Sequence, residues 1–485
     1  MPSSNDLCAL SGVEQARLVR ERAVSPIELV NAVFARIAAL DPVIHAFCAL
    51  GEEQAHMAAK AAEAAVMRGD AVGSLHGVPI SVKDLICTRD LPTRSGSAAY
   101  KDFVPEEDDL AVARLLGAGA ILIGKTNVPE FGYAGSGKNE LFPTTANPWD
   151  PAMSSGGSSA GSAAAVASGM GALTIGSDGG GSIRGPSSFC GLFGMKPSFG
   201  RVPLYPGCRD PRYPGMSSWE TIEHIGPITR TVEDAALLLS IISGPDGRDR
   251  HSLPAADFAW FDAVRQPLGQ LRIAYTPDFG FSKVDREVRE LTAVAARVFA
   301  DDLGCDLVED TPALSDMGEL FFAQIMRDSD LRGMRAMAAR DEIAMPGLLW
   351  LLSREWTAED LTDAAMQRQA VCATIARFMQ GYDLLLTPTV STPAFPIAFW
   401  NPATVEGIPA DQGNMSPFTY PFNWTGQPAA SVPAGWTSTG LPVGLQIVGR
   451  HLNDALVLRA AAAFEAARPW RDHWPGLVTE LVSLA

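Results

Sequence analysis

The chain has 485 residues, 47% of them hydrophobic and 8% aromatic, and a formal net charge of −17 at pH 7. That length can bury a large core, while the acidic balance disfavours nucleic acid or an anionic membrane as the main partner, because phosphate is bound through Lys and Arg. Seven scattered cysteines with no CxxC pair suggest neither a zinc site nor a disulfide framework, and no run reaches the ~18 apolar residues of a membrane span. The N-terminus lacks the basic start and apolar core of a signal peptide, so a cytoplasmic protein with reduced, buried cysteines is expected.

Residues 11–68 read as helical. Ser25-Pro26-Ile27-Glu28 is a capping box with Pro at the first helical position, followed by periodic apolar residues to Leu40. A second, Ala-rich helix is expected over 52–67. Gly77-Val78-Pro79-Ile80-Ser81-Val82 reads as a short buried strand with Lys83-Asp84 at its end. A helix over 107–118 and a strand over 120–124 continue the alternation. Residues 153–200 are the richest window in Gly and Ser, yet an Ala/Val run (Ser162 to Ala167) and an apolar run (Ala172 to Ile175) sit between the glycines. A flexible linker would be polar throughout; this window reads as loop, helix, strand and loop.

The pieces 203–216 and 388–410 read as ordered loops, and 310–370 as helical. Residues 384–386, 430–432 and 443–448 are further strands, and Asn453 caps a last helix to about Ala466. Short apolar strands separated by helices argue an α/β fold with a mixed, mostly parallel central sheet. With no internal repeat and no low-complexity tail, one domain over 1–485 is the simplest organisation, with core motifs in 77–200 and a helical and loop cap in 310–410.

Two pattern matches fail on physical grounds. Gly119 to Thr126 fits the P-loop pattern, but its variable residues, Ala-Ile-Leu-Ile, are themselves a strand rather than a phosphate-wrapping turn. Gly157-Ser158-Ser159-Ala160-Gly161 fits the nucleophile elbow of α/β-hydrolases, but loop-like residues precede it where a strand is needed. The seven histidines (His45, His56, His76, His224, His251, His451, His473) carry no motif and read as structural or surface groups.

A hydrolytic serine without a histidine base needs another activator, and lysine is a known substitute. Lys83, at the end of an apolar strand, is placed to enter a cleft where desolvation disfavours its ammonium. Ser182 ends the run Asp178-Gly179-Gly180-Gly181, whose flexible backbone can turn N–H groups towards one point, as an oxyanion requires. The competing reading of that run is a plain glycine turn.

The ordered segments GVPISVKD, GKTNVPEFG, GGSSAGSAAAVASG, SDGGGSIRGPSSFCGLFGMKPSFGRVP, HIGPITRTVEDAALLL, YDLLLTPT and FNWTGQPAASVPAG resemble the amidase signature family over roughly residues 10–465. The resemblance implies a catalytic set of Lys83, Ser158 preceded by a cis peptide bond, and the nucleophile Ser182. It further implies an oxyanion hole from Gly179, Gly180, Gly181 and Ser182, with Ser159, Asp178 and Arg184 in support, and no metal or cofactor. The implied activity is hydrolysis of small or aryl carboxamides through an acyl-enzyme, with esters, carbamates or urethanes as side substrates. The alternative is the amidase subunit of a glutamyl-tRNA amidotransferase. Phe131, Tyr133, Tyr205, Arg209 and Tyr213 are the expected pocket residues, the partner is a small-molecule amide, and a homodimer stays open. The chain departs from the family's common pattern at Gly179, Ala160, Met153, Ser155 and Gly185, which leaves the substrate unspecified.

Overall fold

The computed structural model describes residues 4–206, 213–215, 219–410 and 416–484. Local chemistry sets the first elements. Ser25 caps helix Pro26–Ile44 in a complete capping box with Glu28, and His45 ends it in the left-handed conformation. Helix Glu52–Arg68 ends at Gly69, whose φ of 80° suits a residue without Cβ. Between them lies a strand, β1 (Phe47–Leu50), inside the region expected to be helical throughout. Four residues with partial exposure carry too little pattern to announce a strand.

The other sheet strands are β2 (Pro79–Lys83), β3 (Ile121–Thr126), β4 (Leu173–Ser177), β5 (Phe193–Lys196), β6 (Ile225–Thr229), β7 (Arg272–Tyr275), β8 (Asp306–Glu309), β9 (Leu384–Pro388), β10 (Ala429–Trp436) and β11 (Pro442–Gly449). They form one mixed eleven-stranded sheet in the order β1-β3-β2-β4-β6-β5-β10-β11-β9-β7-β8. Parallel pairing is confined to two blocks, β3-β2-β4 and β9-β7-β8; the neighbours in between, and β1 with β3, run antiparallel. The predicted strand 120–124 extends to Thr126 because β2 pairs with it as far as Lys83 against Thr126. The predicted helix 107–118 is Leu110–Gly117, with Asp109 accepting the N–H of Ala111 at its start.

Helices cover the sheet, and the main apolar core lies between them. The region 310–370 is helical as expected, in four pieces: Gly318–Arg327, Leu331–Ala338, Pro346–Ser353 and Ala358–Phe378. Glu130, in a turn after β3, holds the link between the second and third pieces, since its buried carboxylate accepts the N–H groups of Ala344 and Met345 at 2.9 and 2.8 Å. The region 388–410 is loop apart from a small hairpin, Thr404–Val405 with Ile408–Pro409. Among the described residues no helix is long and apolar enough to cross a membrane.

Candidate active site

Three neighbouring strands bring the polar groups together. β2 and β4 are parallel, with Val82 opposite Ile175, so Lys83 and Ser177 emerge at the same edge. β6 runs antiparallel to β4, with Ile225 opposite Ser177, so Glu223 and His224 arrive there just before it starts. Helix Ala160–Ala167 returns the chain to the start of β4, so its N-terminal end, with Ser158 and Ser159, also faces this edge. A site at the carboxyl ends of parallel strands is the usual outcome of such a topology.

Lys83 is fully buried, and its Nζ donates to Ser158 Oγ at 2.7 Å, Ser177 O at 2.9 Å and Ser177 Oγ at 3.0 Å. Burial pulls the lysine pKa down to about 8, against the charges of Glu223 and Asp178, which hold it up. Burial also pushes Glu223 up to about 7, with Lys83 and a Ser177 hydrogen bond pulling it back. The Gly157–Ser158 peptide bond is cis. Ser159 donates its hydroxyl to Ser177 O at 3.2 Å and its N–H to Ser182 O at 3.2 Å, which knits the two serine loops together.

The loop after β4 is fixed by one buried ion pair. Arg184 reaches both Asp178 oxygens at 2.9 Å, and its remaining donors go to Asn423 Oδ1, Gln446 Oε1 and Thr419 O. Burial pushes the Asp178 carboxyl up, but the Arg184 charge and hydrogen bonds, helped by Asn423, hold it well below the usual carboxylate range. Gly181 has φ 129° and a Cβ there would meet Thr419 Oγ1 at 2.4 Å, so this position requires glycine. The Gly181 N–H donates to Asp178 Oδ1 at 2.8 Å, which further ties the loop to the ion pair.

Ser182 lies between two chambers. The inner one, about 10 Å³, is lined by Leu85, Phe131, Gly132, Ser158, Gly179, Trp219 and Glu223 as well as Ser182. The outer one, about 100 Å³, is lined by Tyr133, Phe321, Ile325, Leu351 and Tyr420 together with Gly180, Gly181, Ser182 and Trp219. Of the expected pocket residues, Phe131 and Tyr133 are brought to these chambers. Tyr205 instead lies under the Arg248 guanidinium, with 5.1 Å from the ring centroid to Cζ. Tyr213 packs on Phe103 and Tyr100, and Tyr100 in turn meets Phe131, which puts Tyr213 one ring behind the wall. Arg209, like Cys208, lies outside the described residues.

The P-loop-like stretch and a buried histidine beside the site both resolve as structure. Lys125 of that stretch is buried at the end of β3, donating to Ile86 O at 2.7 Å and Thr93 Oγ1 at 2.6 Å and pairing with Asp84. His224 is buried with Nδ1 against Ile222 O at 2.7 Å, and burial drives its pKa far down.

The profile of the Amidase family matches residues 28–458. The chain belongs to the amidase family. It is an amidase, a hydrolase of carbon–nitrogen bonds. It is 38% identical to an acylamidase of Rhodococcus erythropolis over 96% of this chain and 97% of that protein. It is 34% identical to a glutamyl-tRNA(Gln) amidotransferase subunit of Chloroflexus aurantiacus, over 94% of this chain and 96% of that one. Among solved structures it resembles a bacterial aryl acylamidase of the amidase signature family, with a TM-score of 0.87 and 31% identity, covering 95% of this chain and 96% of that one.

Two of the amidase's departures from the common pattern have visible compensation. The extra methyl of Ala160 faces Gly137, where a Cβ would stand 2.7 Å from it. The space a side chain at Gly179 would take is filled by the Trp219 ring, 2.0 Å from that hypothetical Cβ. Sequence reasoning missed Ser177, Trp219, Glu223, Asn423 and the Phe321–Leu351 wall. Ser177 and Glu223 were accessible in principle, as polar residues at the ends of apolar strands; the wall residues carry only an ordinary helical pattern.

Proposed function

We propose that this amidase hydrolyses small acyl amides, anilides among them, with Ser182 as nucleophile, Ser158 as relay and Lys83 as base. The observation that carries the reading is the 2.7 Å contact from Lys83 Nζ to Ser158 Oγ, in a buried setting beside the chamber that Ser182 lines. In the neutral amine form Lys83 accepts the Ser158 proton while Ser158 accepts that of Ser182. The Ser182 oxygen then adds to the amide carbonyl, and the carbonyl π electrons move onto its oxygen. N–H groups of Gly179, Gly180 and Ser182 are the donors for that oxyanion, Gly181 being committed to Asp178. Collapse breaks the C–N bond as Ser158 returns the proton to the departing nitrogen. Water then adds to the acyl-enzyme with the same groups acting in reverse, releasing the acid.

The choice of acyl amides is supported by similarity to the Rhodococcus acylamidase and to the aryl acylamidase structure. Esters and carbamates or urethanes are proposed side substrates. We also propose a cytoplasmic enzyme of one domain, its cap in 310–410, acting on small molecules without nucleic acid or membrane; light scattering reads whether it is a homodimer.

The test is a hydrolysis panel of anilides, aliphatic amides, carbamates and glutamine with the lone chain and with Ser182→Ala. Anilide turnover lost by roughly 10³-fold or more in the variant supports the reading. Glutamine turnover alone, with a co-purifying partner, supports instead a role within an amidotransferase complex, the reading favoured by the Chloroflexus relative.

A further inference from the structure

Trp219 stands between the two chambers and lines both, with Ser182 and Gly132. Its ring is held by Tyr133 and its backbone by the turn that follows. The indole N–H donates to Tyr133 Oη at 3.1 Å and the two rings meet edge to face, with centroids 5.0 Å apart. Tyr133 Oη is in turn 2.9 Å from Ser329 Oγ. The Trp219 carbonyl accepts the N–H groups of Ile222 and Glu223. The turn that follows is anchored by Thr221, bonded to Asp328 and to Arg368. The indole is therefore a fixed wall.

The two chambers differ in their walls. Apart from Ser182 and Trp219 themselves, the inner chamber is lined by buried residues, whereas the outer includes the half-buried Gly180, Gly318, Phe322, Asn401 and Ser416. An amide hydrolysed through an acyl-enzyme releases its amine while the acyl chain is still attached to serine. The acyl chain is therefore the part still held once the amine has gone, and the chamber walled by buried residues is the one assigned to it.

We propose that Trp219 and Gly179 form one specificity element: the indole fills the volume of the absent 179 side chain and closes the inner chamber, limiting the acyl group to a short one. This rests on Ser182 being the nucleophile. Its corollary is that Gly179 is required by Trp219, since a Cβ at 179 would lie 2.0 and 2.5 Å from Cε3 and Cζ3 of the indole.

The experiment measures kcat/KM for p-nitroanilides from acetyl to hexanoyl, and for acetyl amides of growing amines, with wild type, Trp219→Ala and Trp219→Phe. The expected result is a shift of the hexanoyl-to-acetyl ratio by about tenfold or more in Trp219→Ala, the scale set by a few methylenes in a pocket. A smaller shift in the same direction is expected in Trp219→Phe, with the amine series, whose chamber Trp219 also lines, changing less than the acyl series in both variants. A ratio within twofold of wild type in both variants, or a shift confined to the amine series, overturns the proposal. If wild type turns over no anilide, the acylamidase reading fails by itself; calorimetric binding of acetate and hexanoate to Ser182→Ala, with and without Trp219→Ala, then reads the same ratio. Gly179→Ala should lose activity, and Gly179→Ala with Trp219→Ala should recover part of it. A double variant no better than Gly179→Ala contradicts the coupling.

Discussion

At the scale of residues, the proposed base Lys83 sets the expected pH dependence. Its pKa is lowered to about 8 by burial, so the neutral amine, the form able to accept the Ser158 proton, is in the minority at pH 7 and grows as pH rises. The kcat/KM profile should therefore rise through a midpoint near 8. Glu223 is the first charge opposing that shift. Glu223→Gln removes an anion that favours the ammonium, so the midpoint should move to lower pH; a midpoint that stays or moves up contradicts the assignment. The same shift has a stability consequence. A lysine that binds its proton less tightly folded than unfolded makes the native state gain stability as pH rises from about 8 to the ordinary lysine value near 10.4. Lys83→Met should flatten that gain in denaturant titrations across the window. The burial of Lys83 was legible because it stands at the end of an apolar strand that aims it into a cleft. Glu223 was not, because its meaning depends on β6 running antiparallel beside β4.

At the scale of elements, small residues were legible as a pattern and their purpose was not. Helix Ala160–Ala167 is buried throughout, and a Cβ at Gly161 would meet Ala46 O at 2.1 Å and Asn127 N at 2.4 Å. The helix lies against backbone, which is why Ala, Gly and Ser fill it. Gly161→Ala should cost ~1–3 kcal/mol of stability, as overpacking does, seen as a lowered denaturation midpoint. The loop 178–184 makes the complementary case. Its glycines suggested an oxyanion loop, but sequence could not tell which N–H groups the loop uses for itself, because Asp178 takes that of Gly181 only once Arg184 and Asn423 orient the carboxylate. Arg184→Met leaves a buried, unpaired Asp178 and should cost about 3–5 kcal/mol, with activity falling as the loop loosens. Retention of wild-type stability would show that the pair does not hold the loop.

At the scale of the whole molecule, strand positions followed from apolar runs, and their order did not. β5 lies between β6 and β10, and β11 pairs with both β10 and β9, so the sheet interleaves segments from residues 193 to 449. The chain's two ends also meet: Val478 shares an apolar cluster with Leu7, Val19 and Val30. The region 310–370 was legible as helical, whereas its contribution of Phe321, Ile325 and Leu351 to the outer chamber emerges only after Glu130 pins residues 344–345 to the core. These arrangements serve one claim, that Lys83, Ser158 and Ser182 act together on an amide carbonyl. The most direct test is to react the enzyme with a fluorophosphonate and map the modified peptide by mass spectrometry. The account predicts a single adduct on Ser182, absent in Ser182→Ala and formed much more slowly in Lys83→Ala; an adduct on another residue, or full labelling of Ser182→Ala, would contradict it.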